Sequence, residues 1–399
     1  MTAAFEGIRI LDFTQVLAGP FAVMQLALLG AEVIKVEQPV TGDQTRGLMN
    51  EGKDVGMSPS FMGMNLNKKS LTLNLKNDAA IDIIRKLIAT TDVLVENFKA
   101  GTMSRMGLDF ESLRIIKPDL IYCSITGYGQ SGPKAGEAAY DGAIQASSGM
   151  MSQTGHPETG PTRTGYMPVD MATALNTSFT IAAALHRKLI TGEGQYIDVA
   201  MLDTAIVMQA AQFSNYLNQG SLVGLRGNAS PTRQPTANVF STQDGHIQIT
   251  ALRQSQVEKL FSELGLSDLL KDDAYATPEA RVKHPTEIDS AISGALQRQT
   301  TRQWMTQLAP VGVPVAEVRE LPDVVKDPQL ETRNAFVTLP SPLDPDKVIT
   351  LVKAGYTTNT DGPEVHSGPP LLGSHNDEIL SSIGYDDKMI SALREQGTI

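Results

Sequence analysis

Up to residue 125 the chain alternates between short β-rich runs and segments with helical spacing, which commits it to a parallel sheet with helices against its faces. Ile8 to Phe13 reads as a strand, Pro20 to Leu29 as a helix with proline in its first turn and Gly30 past its end, and Glu32 to Glu37 as a strand again. Strand Ser70 to Leu75, helix Asp78 to Thr90 capped by Asn77, strand Val93 to Val95, helix Glu111 to Ile116 and strand Leu120 to Ile125 repeat the unit. The predicted fold class is α/β, with a doubly wound sheet.

After a Gly-rich loop, Asp170 to Ile190 carries Met171, Leu175, Phe179, Ala182, Ala183 and Leu185 at helical spacing, and Gly192-Glu193-Gly194 stops it. A strand, Gln195 to Val199, and a long helix, Asp203 to Asn218, follow. Gly220 to Pro235, rich in Gly, Ser, Thr and Pro, reads as a linker. Past it the pattern changes. Ala237 to Ser241 and His246 to Ala251 flank a Gln243-Asp244-Gly245 turn as an antiparallel hairpin, with helices at Gln256 to Leu264, Glu287 to Leu296 and Arg302 to Leu308. Pro340 to Asp346 and Thr357 to Pro370 are loop-rich, and short helices at Asn376 to Ser382 and Asp387 to Glu395 follow. A length of 399 residues suits two domains: a large one opening with 1–219 and, beyond the linker at 220–235, a smaller α+β one over 236–325.

Charge narrows the partners. Lys+Arg 33 against Asp+Glu 44 leaves −11, which argues against nucleic acid or an anionic membrane surface and for a small-molecule substrate. The single cysteine, Cys123 in Leu120-Ile121-Tyr122-Cys123-Ser124-Ile125, excludes an intrachain disulfide and reads as a buried strand thiol. Glu6 and Arg9 stand where a signal peptide would be basic and then apolar. The uncharged stretches Phe13 to Ala31 and Thr204 to Leu225 are interrupted by Gln15, Gly19-Pro20, Gln25 and Gly30, and by Gln209, Gln212, Ser214-Asn215 and Asn218-Gln219-Gly220. No membrane span is therefore expected, and a cytoplasmic setting is.

Gly127-Tyr128-Gly129-Gln130-Ser131-Gly132 is a GxGxxG motif after a strand, but Pro133 and Gly136 spoil the helix that should open inside it, and no acid lies between Asp141 and Glu158 to hold a ribose. A Walker lysine loop, a GxSxG elbow and an HExxH motif are all missing. His156, His186, His246, His284, His366 and His375 have no metal-like spacing, so no metal site is expected. Asp170 is the ionisable residue that stands out, because it opens an otherwise apolar helix. One reading makes it an N-cap; the other makes it a nucleophilic carboxylate kept ionised by the helix N-terminus.

Several segments acquire a joint meaning. Leu11-Asp12-Phe13-Thr14-Gln15-Val16-Leu17-Ala18-Gly19-Pro20, Gly30-Ala31-Glu32-Val33-Ile34-Lys35-Val36-Glu37, Asn67-Lys68-Lys69-Ser70-Leu71, Val95-Glu96-Asn97-Phe98 and Pro370-Leu371-Leu372-Gly373-Ser374-His375 closely resemble the class III CoA-transferases, the family of formyl-CoA transferase and carnitine CoA-transferase. The resemblance implies a Rossmann-like large domain built from both chain ends, with 326–399 returning to it, an inserted small domain and an interlocked homodimer. It places the CoA thioester, a substrate rather than a permanently bound cofactor, against Leu17 and Ala18, then Leu73, Asn74, Leu75 and Lys76, then Asn97, Phe98 and Lys99, then Arg105. Asn97 is expected to offer its amide to adenine or pantetheine, and Lys76, Lys99 and Arg105 to meet phosphates. The family nucleophile matches Asp170, which attacks the thioester to give a mixed anhydride and then an aspartyl-CoA thioester, so that CoA passes to a second carboxylic acid without ATP.

Departures from the family pattern matter. Tyr140 stands where the α-methylacyl-CoA racemases of the family carry a histidine, and with an ordinary pKa of about 10 a tyrosine is a poor base at neutral pH. Racemisation, CoA migration within one dicarboxylate, and a CoA-binding protein without catalysis are the alternatives to transfer. Val169 and Ala174 replace glycines beside the nucleophile, Thr250 to Gln254 lacks the glycines of the formyl-CoA transferase lid, and Gln38 and Gln15 replace a basic residue and a histidine. Gln15 and Tyr140 are expected beside the substrate. Arg46, Arg163, Arg233 and Arg253 fall in loops that could reach an acceptor acid.

Overall fold

The computed structural model describes residues 3–48 and 56–399. Two compact units form, one from Met1–Met150, Thr164–Phe213 and Pro328–Ile399 and the other from Met151–Arg163 and Ser214–Asp327.

The first unit is built on six parallel strands: β1 (Arg9–Asp12), β2 (Glu32–Glu37), β3 (Lys68–Thr72), β4 (Val93–Glu96), β5 (Ile121–Thr126) and β6 (Gln195–Ala200). Their order, β3-β2-β1-β4-β5-β6, reverses direction between β1 and β4. In a doubly wound sheet that reversal opens a crevice at the carboxyl ends of the strands. Helix α1 (Ala18–Ala27) packs on α4 (Pro168–Thr191), and Val23, Leu26, Ile181 and Leu185 cover Ile10, Val33, Val95, Ile121 and Cys123 on one face of the sheet. On the other face α2 (Asp78–Ile88) buries Ala80, Ile83, Ile84 and Leu87 against Leu11, Ile34, Leu71 and Leu94. Asn77 starts α2 by accepting the Ala79 N–H, as its sequence predicts.

The bounds of several elements differ from the sequence reading, and three differences have a clear cause or consequence. Strand β3 ends at Thr72 instead of Leu75 and takes in Lys68 and Lys69, because Lys68 reaches a buried partner, Asp12, at 2.9 Å. The long helix after β6 breaks at Gln209, whose φ of −106° and ψ of 23° separate Met201–Met208 from Ala210–Gln219. Helix α4 starts at Pro168, proline being pre-shaped for the first turn, so Asp170 lies inside that turn and Met167 takes the N-cap position.

The free edge of β3 is closed by a distant segment. Ser70 N–H donates to His375 Nδ1, His375 N–H donates to the Ser70 carbonyl, and Thr72 N–H donates to Asn376 Oδ1 at 2.9 Å. Asn74 N–H bonds the carbonyl of Thr398, which is fully buried. An open strand edge is a template for foreign strands, and these contacts cover it.

The second unit carries an antiparallel sheet in which Val315–Glu317 joins the expected hairpin of Ala237–Ser241 and His246–Thr250. Its core gathers Phe240, Ile247, Phe261, Ile292 and Trp304. Thr250 ends a strand there and Arg253 precedes the helix Gln254–Leu264. Among the described residues no helix is long and apolar enough to cross a membrane, and no group of three or more His, Cys, Asp or Glu is placed to hold a metal ion.

Candidate active site

A cavity of about 280 Å³ opens at the crevice between β1 and β4. Its walls are the loop after β1 (Gln15 to Ala18), the loop after β4 (Asn97 to Ala100), the loop after β5 (Gly127 to Gly129), and Tyr140 and Asp170. The GxGxxG motif thus follows the fifth strand and opens no helix, whereas a dinucleotide fingerprint occupies the first strand-to-helix turn.

Asp170 is half-buried at the start of α4, and its environment is set by a second carboxylate. Met167 has no side-chain oxygen for the first amides of α4, so Asp141, the first residue of helix α3 (Asp141–Ser147), takes that role from across the fold. Asp141 Oδ2 accepts the Val169 N–H at 2.8 Å and the Asp170 N–H at 3.1 Å. Gln145 Nε2 donates to Asp141 Oδ1, and Gln145 Oε1 accepts the Thr164 N–H at 3.1 Å, which ties the nucleophile loop to α3. Burial and the Asp141 charge push Asp170 up to about 7. The cap reading of Asp170 is corrected, and so is the expectation that the helix N-terminus holds it ionised: near neutral pH it is poised between acid and carboxylate.

The loop after β1 is held at two points. Asn97 Oδ1 accepts the Gln15 N–H at 2.9 Å while Asn97 Nδ2 donates to the Gln15 carbonyl at 2.8 Å. Both ends of the Asn97 amide are thereby engaged, so the residue expected to hydrogen-bond adenine or pantetheine serves first as a clamp on Gln15. Val16 has φ of 71°, a conformation a β-branched residue rarely adopts, and Asp43 Oδ1 accepts its N–H at 3.1 Å.

Asp43 belongs to a buried ionic network under this loop. Lys35 Nζ lies 2.9 Å from Asp43 Oδ2 and donates to the Thr14 carbonyl at 2.6 Å. Burial alone would lower the Lys35 pKa, but Asp43, Asp12 and Glu37 outweigh it and hold it above the usual lysine value. Lys68 pairs with Asp12, yet burial dominates and brings it down to about 8. Arg46 is buried against Glu37 at 2.7 Å and stacks over the Phe61 ring, so it is structural and does not face an acceptor acid. Arg163, Arg233 and Arg253 are exposed residues of the second unit.

The cavity therefore brings together Gln15, Leu17, Ala18, Asn97, Phe98, Lys99, Tyr140 and Asp170. Leu73, Asn74, Leu75, Lys76 and Arg105 lie outside its walls. Leu73 is in the core, Asn74 bonds Thr398, and Lys76 is exposed. Leu75 and Arg105 line a separate hollow of about 300 Å³ with Arg85. Sequence reasoning missed Asp141, Gln145 and Asp43 as organisers of the site; the one available signal was a helix opening on Pro168 with no capping side chain before it.

Residues 5–376 match the sequence model of CoA-transferase family III. The chain is 35% identical to the succinate–glutarate CoA-transferase of Agrobacterium fabrum over 95% of either chain. It is 36% identical to the human succinyl-CoA:glutarate CoA-transferase, covering 99% of this chain and 89% of that one. Among solved structures, a CAIB/BAIF family protein from Brucella suis superimposes with a TM-score of 0.86 at 33% identity, over 96% of this chain and all of that one.

Proposed function

Given that the chain belongs to CoA-transferase family III, enzymes that move CoA from an acyl-CoA to a carboxylic acid, we propose that it exchanges CoA between two dicarboxylic acids of the succinate and glutarate size, with Asp170 as covalent nucleophile. The observation that carries the nucleophile is Asp170 at the cavity wall, with its backbone N–H taken by Asp141 and its carboxyl poised near neutrality. The acid pair is carried by the two relatives named for succinate and glutarate.

In the proposed sequence an Asp170 carboxylate oxygen attacks the thioester carbonyl carbon, the C–S bond breaks, and a mixed anhydride and the CoA thiolate result. The thiolate then attacks the aspartyl carbonyl, the anhydride C–O bond breaks, and the donor acid leaves as its carboxylate. The acceptor carboxylate attacks the aspartyl-CoA thioester in the same manner. The returning thiolate takes the acyl group and restores Asp170. Asp141 orients the attacking group and raises its basicity; Gln15, fixed by Asn97, faces the same space. The test is CoA transfer from succinyl-CoA to glutarate by the purified protein; transfer to neither glutarate nor any other short dicarboxylate contradicts the assignment.

Because Asp170 must be ionised to attack, kcat/KM is expected to rise with pH through about 7 and then level. Asp141→Asn keeps an oxygen for the α4 amides but removes the neighbouring charge, so the midpoint should move to lower pH. A profile whose midpoint is the same in both proteins would refute this coupling.

The homodimer expected from the family rests on α4, where Leu175, Phe179, Leu189 and Ile190 are each more than half exposed, an apolar row that a single chain does not cover. Light scattering should give twice the chain mass, and a monomer at micromolar concentration would oppose it.

A further inference from the structure

Glu96, Ser124 and Asp198 stand abreast at the carboxyl ends of β4, β5 and β6. Register pairs Glu96 with Ser124 and Ser124 with Asp198, and the two-residue repeat of a strand puts all three on one face. Glu96 is 3% exposed. Its Oε1 meets the Ser124 hydroxyl, and its Oε2 accepts the Phe98 N–H at 2.8 Å. Asp198, at the solvent end of the row, accepts the Gln130 N–H at 2.9 Å through Oδ2. Glu96 therefore holds an amide of the cavity wall Asn97 to Ala100, and Asp198 holds the amide of Gln130, the residue directly after the wall segment Gly127 to Gly129.

Among the described residues Glu96 has hydrogen bonds but no counter-ion. Beside it stand Tyr122 and Cys123 from β5 and Tyr196 and Asp198 from β6, and among the described residues no cation forms an ion pair with it. Burial, against two hydrogen bonds and with the Asp198 charge adding to it, pushes Glu96 up to about 7. Burying a carboxyl without a counter-ion is costly, and packing alone would be served better by an apolar residue. What Glu96 adds is an acceptor aimed at the Phe98 amide, two residues along the chain, where β4 gives way to the loop.

We propose that Glu96 is a positioning residue for the acyl-CoA substrate, with Asp198 as its counterpart on the loop after β5: the two side chains fix the loops between which the thioester lies. The inference rests on the function proposed above. Neither group touches the reacting atoms; each acts through a backbone amide.

The experiment is calorimetric titration of free CoA into the wild type, Glu96→Ala, Glu96→Gln and Asp198→Ala, with steady-state transfer kinetics and thermal melts on the same proteins. Glu96→Ala is expected to raise Kd and the acyl-CoA KM on the order of tenfold, the effect of one lost acceptor, with a smaller fall in kcat. Glu96→Gln, which keeps an oxygen for Phe98 N–H, should recover most of that loss. Asp198→Ala, an exposed substitution that leaves the core intact, should weaken CoA by about threefold. Glu96→Ala and Asp198→Ala binding CoA as tightly as wild type would overturn the proposal, as would Glu96→Gln being as weak as Glu96→Ala. If Glu96→Ala melts below the assay temperature, Asp198→Ala and Glu96→Gln decide. A wild type that binds no CoA would bring down the functional reading itself, whereas tight wild-type binding with unaffected variants removes only this inference.

Discussion

Asp170→Ala should reduce CoA transfer by about 10,000-fold or more, because it removes the group through which every bond exchange is routed, while CoA still binds to the loops that remain. Intact-mass analysis under mild acid gives the direct reading. Wild type mixed with acyl-CoA should gain a CoA-sized adduct from the aspartyl thioester or an acyl-sized one from the anhydride, and Asp170→Ala neither. Turnover surviving in the variant, or an adduct on it, would remove Asp170 from the mechanism. A stability effect of opposite sign accompanies the loss. The Asp170 carboxyl sits at about 7 in the fold against an ordinary 3.8, so the fold prefers the protonated form and loses stability as pH rises between those values. Asp170→Asn should therefore melt higher than wild type above pH 7, and equal melts there would show that the site imposes no strain on its carboxylate.

The second large effect concerns the network under the β1 loop. Lys35→Met leaves Asp43 without its cation and Asp12 with Lys68 alone, and breaking a buried ion pair from one side costs about 3–5 kcal/mol. Urea unfolding should report that loss in the first unit. The surviving folded fraction should also bind CoA less tightly, because Asp43 then lacks the partner that aims it at the Val16 N–H. A variant within about 1 kcal/mol of wild type would mean that Asp43 is neutralised in another way.

Strands β1, β4 and β5 were readable because apolar runs declare a buried parallel strand, and β2 because Val33, Ile34 and Val36 bracket its one internal charge, Lys35. Lys68 and Lys69 could not be assigned to β3 on the same grounds. A charged residue enters a core strand only when a partner waits for it, and Asp12 is 56 residues away in sequence. Arg46 misled for the same reason: in isolation it is a free guanidinium in a loop, and only the fold brings Glu37 and Phe61 to it. Asp170 stood out because it heads an apolar helix. The cap that positions it was hidden, since Asp141 reaches the α4 amides from another helix, 29 residues away. Gln209, which ends a helix early, carried no breaker signal of its own.

The closure of the β3 edge has a consequence for biosynthesis. Thr72 is synthesised 304 residues before Asn376, the residue that satisfies its N–H. On the ribosome, β3 therefore emerges with a raw edge that stays uncovered until Asn376 has been made, so nascent chains on one polysome are exposed to pairing with one another through it. A bulky substitution at Thr398 would act on the same step, because Thr398 has to be drawn into the interior to receive Asn74.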